Sequence, residues 1–253
     1  MLKFKNDMIE AAAEQLSVDL ACSPFDFLKD TNTTVFSKLM FGRRIFKEEK
    51  DFFHLATFGN GTVASVDPQI HSFAEALLSK MDGVKIFDAE GVYIINKELE
   101  KYGKVLAAFN QYYLPRTPYK LPVACDFKLE LYEGDQISLI YDNAVFQNAL
   151  LYKNTGTRRD VLAVCAKNAD KIIGMAGASN DSERFWQIGI DVLPEFRQNG
   201  LATLLVSTLT HEILMRGAIP YYGTWWSNIA SQNVAQSCGY YPVWAEMYAI
   251  DLS

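Results

Sequence analysis

Gln187-Ile-Gly-Ile-Asp-Val-Leu-Pro-Glu-Phe-Arg-Gln-Asn-Gly-Leu-Ala-Thr203 is the stretch from which the fold of this 253-residue chain can be predicted. It opens with apolar side chains at positions 188, 190 and 192, the period of a strand with one buried face. Pro194 ends that strand, and from Leu201 to Arg216 apolar residues recur three and four positions apart, as on one face of a helix. A strand therefore leads into a helix through a short loop.

The loop before this helix has the composition of an anion-binding turn. Backbone N–H groups in the first turn of a helix lack helical partners, and the helix dipole adds partial positive charge, so a phosphate or pyrophosphate is favoured. Gly200 allows close approach of the backbone, small Ala202 leaves room, and Arg197 adds a fixed positive charge. The loop is neither a P-loop nor a dinucleotide fingerprint. An ordinary strand-to-helix turn is the alternative.

The pattern Arg197-x-x-Gly200-x-Ala202, preceded by Val192-x-Pro194, resembles the acetyl-CoA loop of the GNAT N-acetyltransferases. A second pattern of that family follows at the family's spacing, Asn228-x-x-Ser231 and then Cys238-Gly239-Tyr240. The resemblance covers about half of the chain, residues 127–253.

The resemblance implies a fold for each half of the chain. The predicted class is α/β (α+β), with a GNAT domain over residues 123–253 and a smaller α+β domain over residues 1–122. A GNAT domain has a mixed, mostly antiparallel sheet flanked by helices. Its fourth and fifth strands splay apart, and the pantetheine of acetyl-CoA lies between them.

The resemblance also implies the cofactor contacts. Backbone N–H groups around Val192 and Leu193 would hold the thioester and pantetheine, and the loop up to Ala202 would hold the pyrophosphate. Asn228 would bond to the pantetheine arm, a role that can coexist with capping its own helix. The complete implied cofactor set is Val192, Leu193, Arg197, Gln198, Asn199, Gly200, Leu201, Ala202, Thr203, Asn228 and Ser231.

Acetyl transfer to an amine needs a neutral nucleophile, a site for negative charge on the carbonyl oxygen, and a proton for the departing thiolate. Many GNAT relatives carry a tyrosine four residues before the glycine that ends the second helix, and Ala235 occupies that position here. Tyr240 is the candidate acid, with core packing as its alternative. Asp191 is the candidate base, because it lies opposite the apolar face of its strand, and a hydrogen-bonded or solvated carboxylate is its alternative.

Composition limits the remaining possibilities. The chain is 49% hydrophobic and 21% charged, which is typical of a globular protein, and its net charge of -6 does not favour nucleic acid. No apolar run is long enough to span a bilayer and no signal-peptide pattern opens the chain, so a cytoplasmic location is predicted. The cysteines are scattered along the chain, which predicts reduced thiols, and the histidines are scattered as well, so a metal site is not expected. These residues are Cys22, Cys125, Cys165, Cys238, His54, His71 and His211.

The N-terminal half mixes helix and strand signals and lacks the cofactor motif. Helices are predicted over residues 6–20 and 67–81 and after Ser23-Pro24, with a hairpin turning at Gly59-Asn60-Gly61. A strand is predicted over 91–95 and a helix within 97–113. Three prolines in residues 113–122 indicate the domain boundary, and the half itself would serve packing, dimer contact or one wall of a substrate cleft.

In the C-terminal half, predicted strands over residues 127–132, 161–166 and 171–178 precede the opening stretch. Short turns join the later strands and require antiparallel pairing, whereas the helix before the strand at 219–224 permits a parallel pair. A helix is predicted over 135–150. Strands from 243 onwards are predicted to close the sheet.

Two functions follow from these patterns. The first is an acyl-CoA-dependent N-acyltransferase that moves acetyl from acetyl-CoA to a primary amine of a small molecule, amino acid or peptide, with no metal and with a homodimer as a further prediction. The alternative is a non-catalytic CoA- or ligand-binding regulatory protein, motivated by Ala235. Near the expected mouth, Trp225 and Trp226 either pack inwards or contact the acceptor, for example by stacking on a cation.

Overall fold

Turn and cap signals set the bounds of the elements in the first part of the chain. A computed structural model describes residues 7–46, 48–116, 127–141, 145–151 and 159–252. Ser23 caps a 3-10 helix through a capping box with Asp26, and Gly59 adopts a φ of 95° in the turn of the hairpin, so both predictions are confirmed. The elements are α1 (Asp7–Leu20), β1 (Thr33–Phe36), β2 (Phe53–Thr57), β3 (Thr62–Val66), α2 (His71–Leu78), α3 (Ala89–Leu99) and β4 (Lys104–Pro115).

Two predictions for this part are wrong. Residues 91–95 lie in helix α3 and not in a strand, and most of 97–113 lies in strand β4 and not in a helix. The buried residues of α3 are Gly91, Ile95 and Leu99, a four-residue spacing that a short apolar run conceals. A Cβ at Gly91 would lie 2.4 Å from the Ile86 carbonyl oxygen, so glycine allows the helix to start against the preceding turn.

The remaining elements follow the predicted order with two differences. They are β5 (Lys128–Glu133), β6 (Asp160–Asn168), β7 (Lys171–Asn180), β8 (Phe185–Val192), α4 (Leu201–Met215), β9 (Ile219–Trp225), α5 (Ile229–Ser237) and β10 (Tyr240–Asp251). The helix predicted over 135–150 is a 3-10 helix, Gly134–Ile140, followed by turns at 145 and 147–149, while 142–144 lie outside the described residues. The strands predicted from 243 form one strand, β10.

Strands β5 to β9 form the sheet of one compact unit, Tyr113–Pro242, in the order β9-β8-β7-β6-β5. The pairs β5–β6, β6–β7 and β7–β8 are antiparallel, and β8–β9 is parallel because α4 returns the chain to the same end of the sheet. Leu205 and Leu209 of α4 belong to the same buried cluster as Ile188 of β8. The predicted mixed, mostly antiparallel sheet flanked by helices is confirmed.

The other compact unit contains the chain up to Tyr112 and again from Val243. Its strands follow the order β1-β3-β2-β10-β4, with β1 parallel to β3 and both β2–β3 and β2–β10 antiparallel. Residues Ala245–Tyr248 of β10 pair with β2, so β10 belongs to this sheet. The sequence predicts instead that strands from residue 243 close the sheet of the C-terminal half. The two compact units divide between Tyr112 and Tyr113. The domain boundary predicted at residue 122 stays a prediction, because residues 117–126 lie outside the described ones.

Three features bear on membranes, metals and cysteines. No helix in the described ranges is both long and apolar enough to cross a bilayer. Within the same ranges, His, Cys, Asp and Glu side chains do not gather in groups of three that could hold a metal ion. Cys22, Cys165 and Cys238 form no disulfide bond, and Cys125 lies outside the described residues.

Candidate functional site

The parallel strands β8 and β9 pair at one end only. Their register joins Phe185 to Ile219 and ends where Ile188 meets Tyr222, whereas β8 continues to Val192. Beyond that point β9 also runs on, to Trp225. The two strand ends therefore diverge, which is the splay that the sequence predicts between the fourth and fifth strands of this unit.

Backbone groups at the end of β8 are divided between the sheet and this gap. The Leu193 N–H donates to the Ile173 carbonyl oxygen at 3.0 Å, so it is engaged by the neighbouring strand. Because successive N–H groups of a strand point to opposite edges, the Val192 N–H is directed towards β9, beyond the end of the pairing. Of the two predicted backbone donors, Val192 is thus placed to face a ligand, and the Leu193 N–H is not.

A rigid turn connects β8 to helix α4. Phe196 N–H donates to the Leu193 carbonyl oxygen at 2.9 Å, and the Arg197 Nε donates to the Val192 carbonyl oxygen at 2.9 Å. Gln198 and Gly200 follow with φ of 64° and 76°, in the left-handed region that glycine tolerates best. The Arg197 Nε therefore stabilises the loop that contains Arg197. This hydrogen bond is separate from the phosphate contact that the resemblance implies.

The first turn of α4 is open. Gly200 is its N-cap, no side chain caps the helix, and the first turn contains no acidic residue. The first helical bond runs from the Leu204 N–H to the Gly200 carbonyl oxygen, so the amide groups of residues 201–203 lie ahead of the helical ladder. Gln198, Asn199 and Gly200 are exposed, and a Cβ at Gly200 would meet no atom within 4 Å. This arrangement suits an anion.

Helix α5 begins beside the end of β9 with several polar contacts. The Asn228 Oδ1 accepts from the Ser231 N–H at 3.1 Å, so the capping role is observed, and the pantetheine role stays a prediction. The Tyr222 hydroxyl lies 2.7 Å from the Ser231 Oγ. At the other end of α5, the Cys238 thiol donates to the Thr203 carbonyl oxygen at 3.4 Å, which joins this helix to the first turn of α4.

The two candidate catalytic residues are engaged elsewhere. Asp191 accepts from the Asn148 N–H at 2.7 Å, from the Asn148 Nδ2 at 2.6 Å and from the Ala149 N–H at 3.0 Å. Tyr240 is 2% exposed, its hydroxyl lies 2.7 Å from the Thr210 Oγ1, and burial raises its pKa. These contacts favour the structural alternatives, a hydrogen-bonded carboxylate and a core tyrosine.

Two glycines bring the segment over residues 146–150 against the sheet. Gly177 and Gly189 are register partners in β7 and β8, and a Cβ on either would lie 2.0 or 1.8 Å from the carbonyl oxygen of Ala149 or Asn148. Asp191 follows on the same face and binds this segment. Glycines within strands are a sequence signal of close backbone approach, and these two lie outside the cofactor motifs.

The tryptophans at the end of β9 do not pack inwards. Trp225 and Trp226 are 65% and 67% exposed. The Gln232 Nε2 donates to both of their carbonyl oxygens, at 3.3 and 2.6 Å, and so fixes the turn that carries them.

The sheet thus has a splayed parallel pair and an uncapped helix terminus at the splayed end, the arrangement that the sequence resemblance predicts. Residues 127–240 match the family model described as Acetyltransferase (GNAT) family. The matched region, a little under half of the chain, is similar to this family. No curated protein matches the chain.

Several acetyltransferases are among the solved structures to which the chain is similar. An acetyltransferase from the GNAT family of Colwellia psychrerythraea is 12% identical, with 75% of this chain and 76% of that chain covered and a TM-score of 0.46. A GCN5-related N-acetyltransferase from Kribbella flavida is 15% identical, with 77% and 81% covered and a TM-score of 0.46. An aminoglycoside N-acetyltransferase, AAC(6')-Iy in complex with CoA, is 21% identical, with 46% and 90% covered and a TM-score of 0.35.

Proposed function

We propose that the chain is an acyl-CoA-dependent N-acyltransferase that transfers acetyl from acetyl-CoA to a primary amine of a small molecule, amino acid or peptide by direct attack. The observation that carries this proposal is the open first turn of α4 next to the splayed ends of β8 and β9. The match of residues 127–240 to the GNAT family model supports it.

The first turn of α4 supplies the anion site in this proposal. The N–H groups of Leu201, Ala202 and Thr203 would hold the diphosphate, with the exposed Gln198 and Asn199 beside it. Because the net charge of the chain is -6, binding depends on these local donors and not on the field of the whole molecule.

The gap between the strands would hold the pantetheine and the thioester. The Val192 N–H is directed there and can donate a hydrogen bond to the carbonyl oxygen as negative charge develops on it. The attacking amine must be neutral, so the reaction should accelerate with pH until the acceptor is deprotonated. We assign the reaction to the cytoplasm, where free thiols such as Cys22, Cys165 and Cys238 persist.

A non-catalytic CoA-binding regulatory protein is the second candidate. Ala235 is fully buried and provides no hydroxyl at the position where many relatives carry tyrosine. In this case CoA would bind, but no amine would release its thiol.

Two measurements separate these candidates. Isothermal titration with CoA up to millimolar concentration should show saturable binding, and a thiol-release screen with acetyl-CoA against amines, amino acids and aminoglycosides should identify an acceptor. Absence of binding would contradict both candidates. Binding without thiol release from any amine would support the regulatory protein.

A further inference from the structure

A pair of hydroxyl groups lies between β9 and α5, and one of the two belongs to Ser231 of the implied cofactor set. The Tyr222 hydroxyl and the Ser231 Oγ are 2.7 Å apart. Tyr222 is 2% exposed, whereas Ser231 is half-buried. Ser231 is therefore the member of the pair that a ligand can reach, with Tyr222 behind it.

The pair lies where the strands begin to diverge. Tyr222 is the last residue of β9 that pairs with β8, opposite Ile188. Register partners share a face of the sheet, so the Tyr222 side chain is on the same face as Ile188 and, two and four positions later, Ile190 and Val192. Ser231 is in the first turn of α5, where the Asn228 side chain holds its backbone N–H.

At 2.7 Å either hydroxyl could donate this hydrogen bond, and burial of Tyr222 bears on the choice. Burial raises the pKa of Tyr222 to about 12, so its hydroxyl keeps its proton throughout the neutral range. A buried hydroxyl proton needs an acceptor, and Ser231 Oγ provides one at 2.7 Å. When Tyr222 donates, the proton of Ser231 is free to point out of the pair.

We propose that Ser231 donates its hydroxyl proton to the sulfur of the departing CoA, and that Tyr222 positions Ser231 and restores its proton. This inference rests on the proposed acetyl transfer. Ala235, one helical turn after Ser231 on the same face of α5, has no hydroxyl to perform this step.

The proposed step conserves atoms and electrons. The amine nitrogen forms a bond to the thioester carbon, the carbon–sulfur bond breaks, and its electron pair remains on sulfur. Sulfur takes the Ser231 proton and Ser231 takes the Tyr222 proton. The amine nitrogen releases its proton to solvent, and solvent returns a proton to Tyr222 through the half-buried Ser231. The products are the amide and CoA with a free thiol.

The thiol of bound CoA provides a test that needs no acceptor. A donor at sulfur stabilises the thiolate, so the ionisation constant of the bound thiol, followed by thiolate absorbance during a pH titration, should be at least tenfold higher in the wild type than in Ser231→Ala. Ser231→Thr keeps a hydroxyl and should retain most of this effect, and Tyr222→Phe should lose part of it. Thr210→Val, which removes a hydroxyl from the buried pair with Tyr240, is the matched control and should behave as the wild type.

Turnover with the amine found in the screen is the second readout. Ser231→Ala should lower kcat about 100-fold at saturating acetyl-CoA, and titration of the variant with CoA separates this loss from any loss of affinity. Equal thiol ionisation and equal kcat in Ser231→Ala and the wild type, with CoA bound by both, would overturn this inference and leave the transferase intact. Failure of the wild type to bind CoA would overturn the proposed function itself and this inference with it.

Discussion

The role of Arg197 depends on which of its atoms are already engaged. The sequence assigns this residue to the diphosphate, and the structure adds a bond from its Nε to the Val192 carbonyl oxygen. Leu193 differs from its predicted role in a similar way, since its N–H already bonds to β7. At the scale of single residues, the sequence shows charge and donor type. It does not show whether a donor is already used in a hydrogen bond within the fold.

Asn199→Asp should separate helix stability from anion binding. Asn199 is exposed next to the uncapped first turn of α4. A carboxylate there favours the helix terminus but repels a diphosphate. We expect the Kd for CoA to rise about tenfold, equivalent to about 1.4 kcal/mol, with no loss of thermal stability.

The control for this change is Asn60→Asp, at the exposed hairpin turn between β2 and β3. It adds the same charge in the other compact unit, in a turn that accepts either residue. CoA affinity should be unchanged by it, and the effect of Asn199→Asp should shrink as salt is raised. Equal affinities of the two variants would mean that the diphosphate does not lie at this helix.

At the scale of elements, the segment formed by residues 146–150 packs closely against strands β7 and β8. Gly177 and Gly189 face its backbone carbonyl groups, and Asp191 binds two of its N–H groups. The carboxylate thereby compensates backbone donors that would otherwise lack partners where the segment crosses the sheet.

Gly189→Ala should destabilise this arrangement. The added Cβ would lie 1.8 Å from the Asn148 carbonyl oxygen, and a backbone group cannot rotate away as a side chain can. We expect the free energy of unfolding to fall by about 1–3 kcal/mol in urea titrations. Amide hydrogen exchange at Asn148 and Ala149 should accelerate.

Gly174→Ala is the matched control, because the atoms that its Cβ would meet are side-chain ends of Leu205, Leu201 and Val192 at 2.9 to 3.3 Å. These side chains can shift, so a smaller loss of stability is expected. A smaller loss for Gly189→Ala than for Gly174→Ala would contradict the packing described for this segment.

At the scale of the whole molecule, the unit that contains β1 to β3 has its own buried ionic network. Glu246 of β10 accepts from Arg44 Nη2 at 2.7 Å, and its other carboxylate oxygen lies 2.8 Å from His54 Nε2. Arg44 also bonds to Asp19 of α1, and His54 Nδ1 lies 3.0 Å from Asp51. The network joins α1, β2 and β10, which are distant in sequence.

This network should make stability depend on pH in both directions. Burial alone lowers the pKa of His54, but Asp51 and Glu246 outweigh it and raise that pKa to about 10. The stabilisation by protonated His54 is full below about pH 6.5 and is lost as the pH rises to about 10. For Glu246, burial raises the pKa, but Arg44 and His54 outweigh it and lower that pKa to about 2, so its contribution is lost as the pH falls from 4.5 through 2.

His54→Gln tests the alkaline part of this dependence. It should lower the free energy of unfolding at pH 7 by about 3 kcal/mol, because Glu246 loses a buried partner. Urea titrations from pH 7 to 10 should show a flatter decline for the variant than for the wild type. His71→Gln, at the partly exposed start of α2, should retain the decline of the wild type, and parallel declines in all three proteins would contradict the role of His54.

The sequence by itself determined the features whose causes are local. The short turns between β6, β7 and β8 required antiparallel pairs, the apolar spacing of α4 required a helix, and the glycine loop before it predicted an open terminus. The tertiary structure alone decided that residues 91–95 are helical, since their packing on the preceding turn is not visible in an apolar run. It also decided that β10 pairs with β2 and that Tyr222 meets Ser231, because such contacts join groups that only the folded chain brings together.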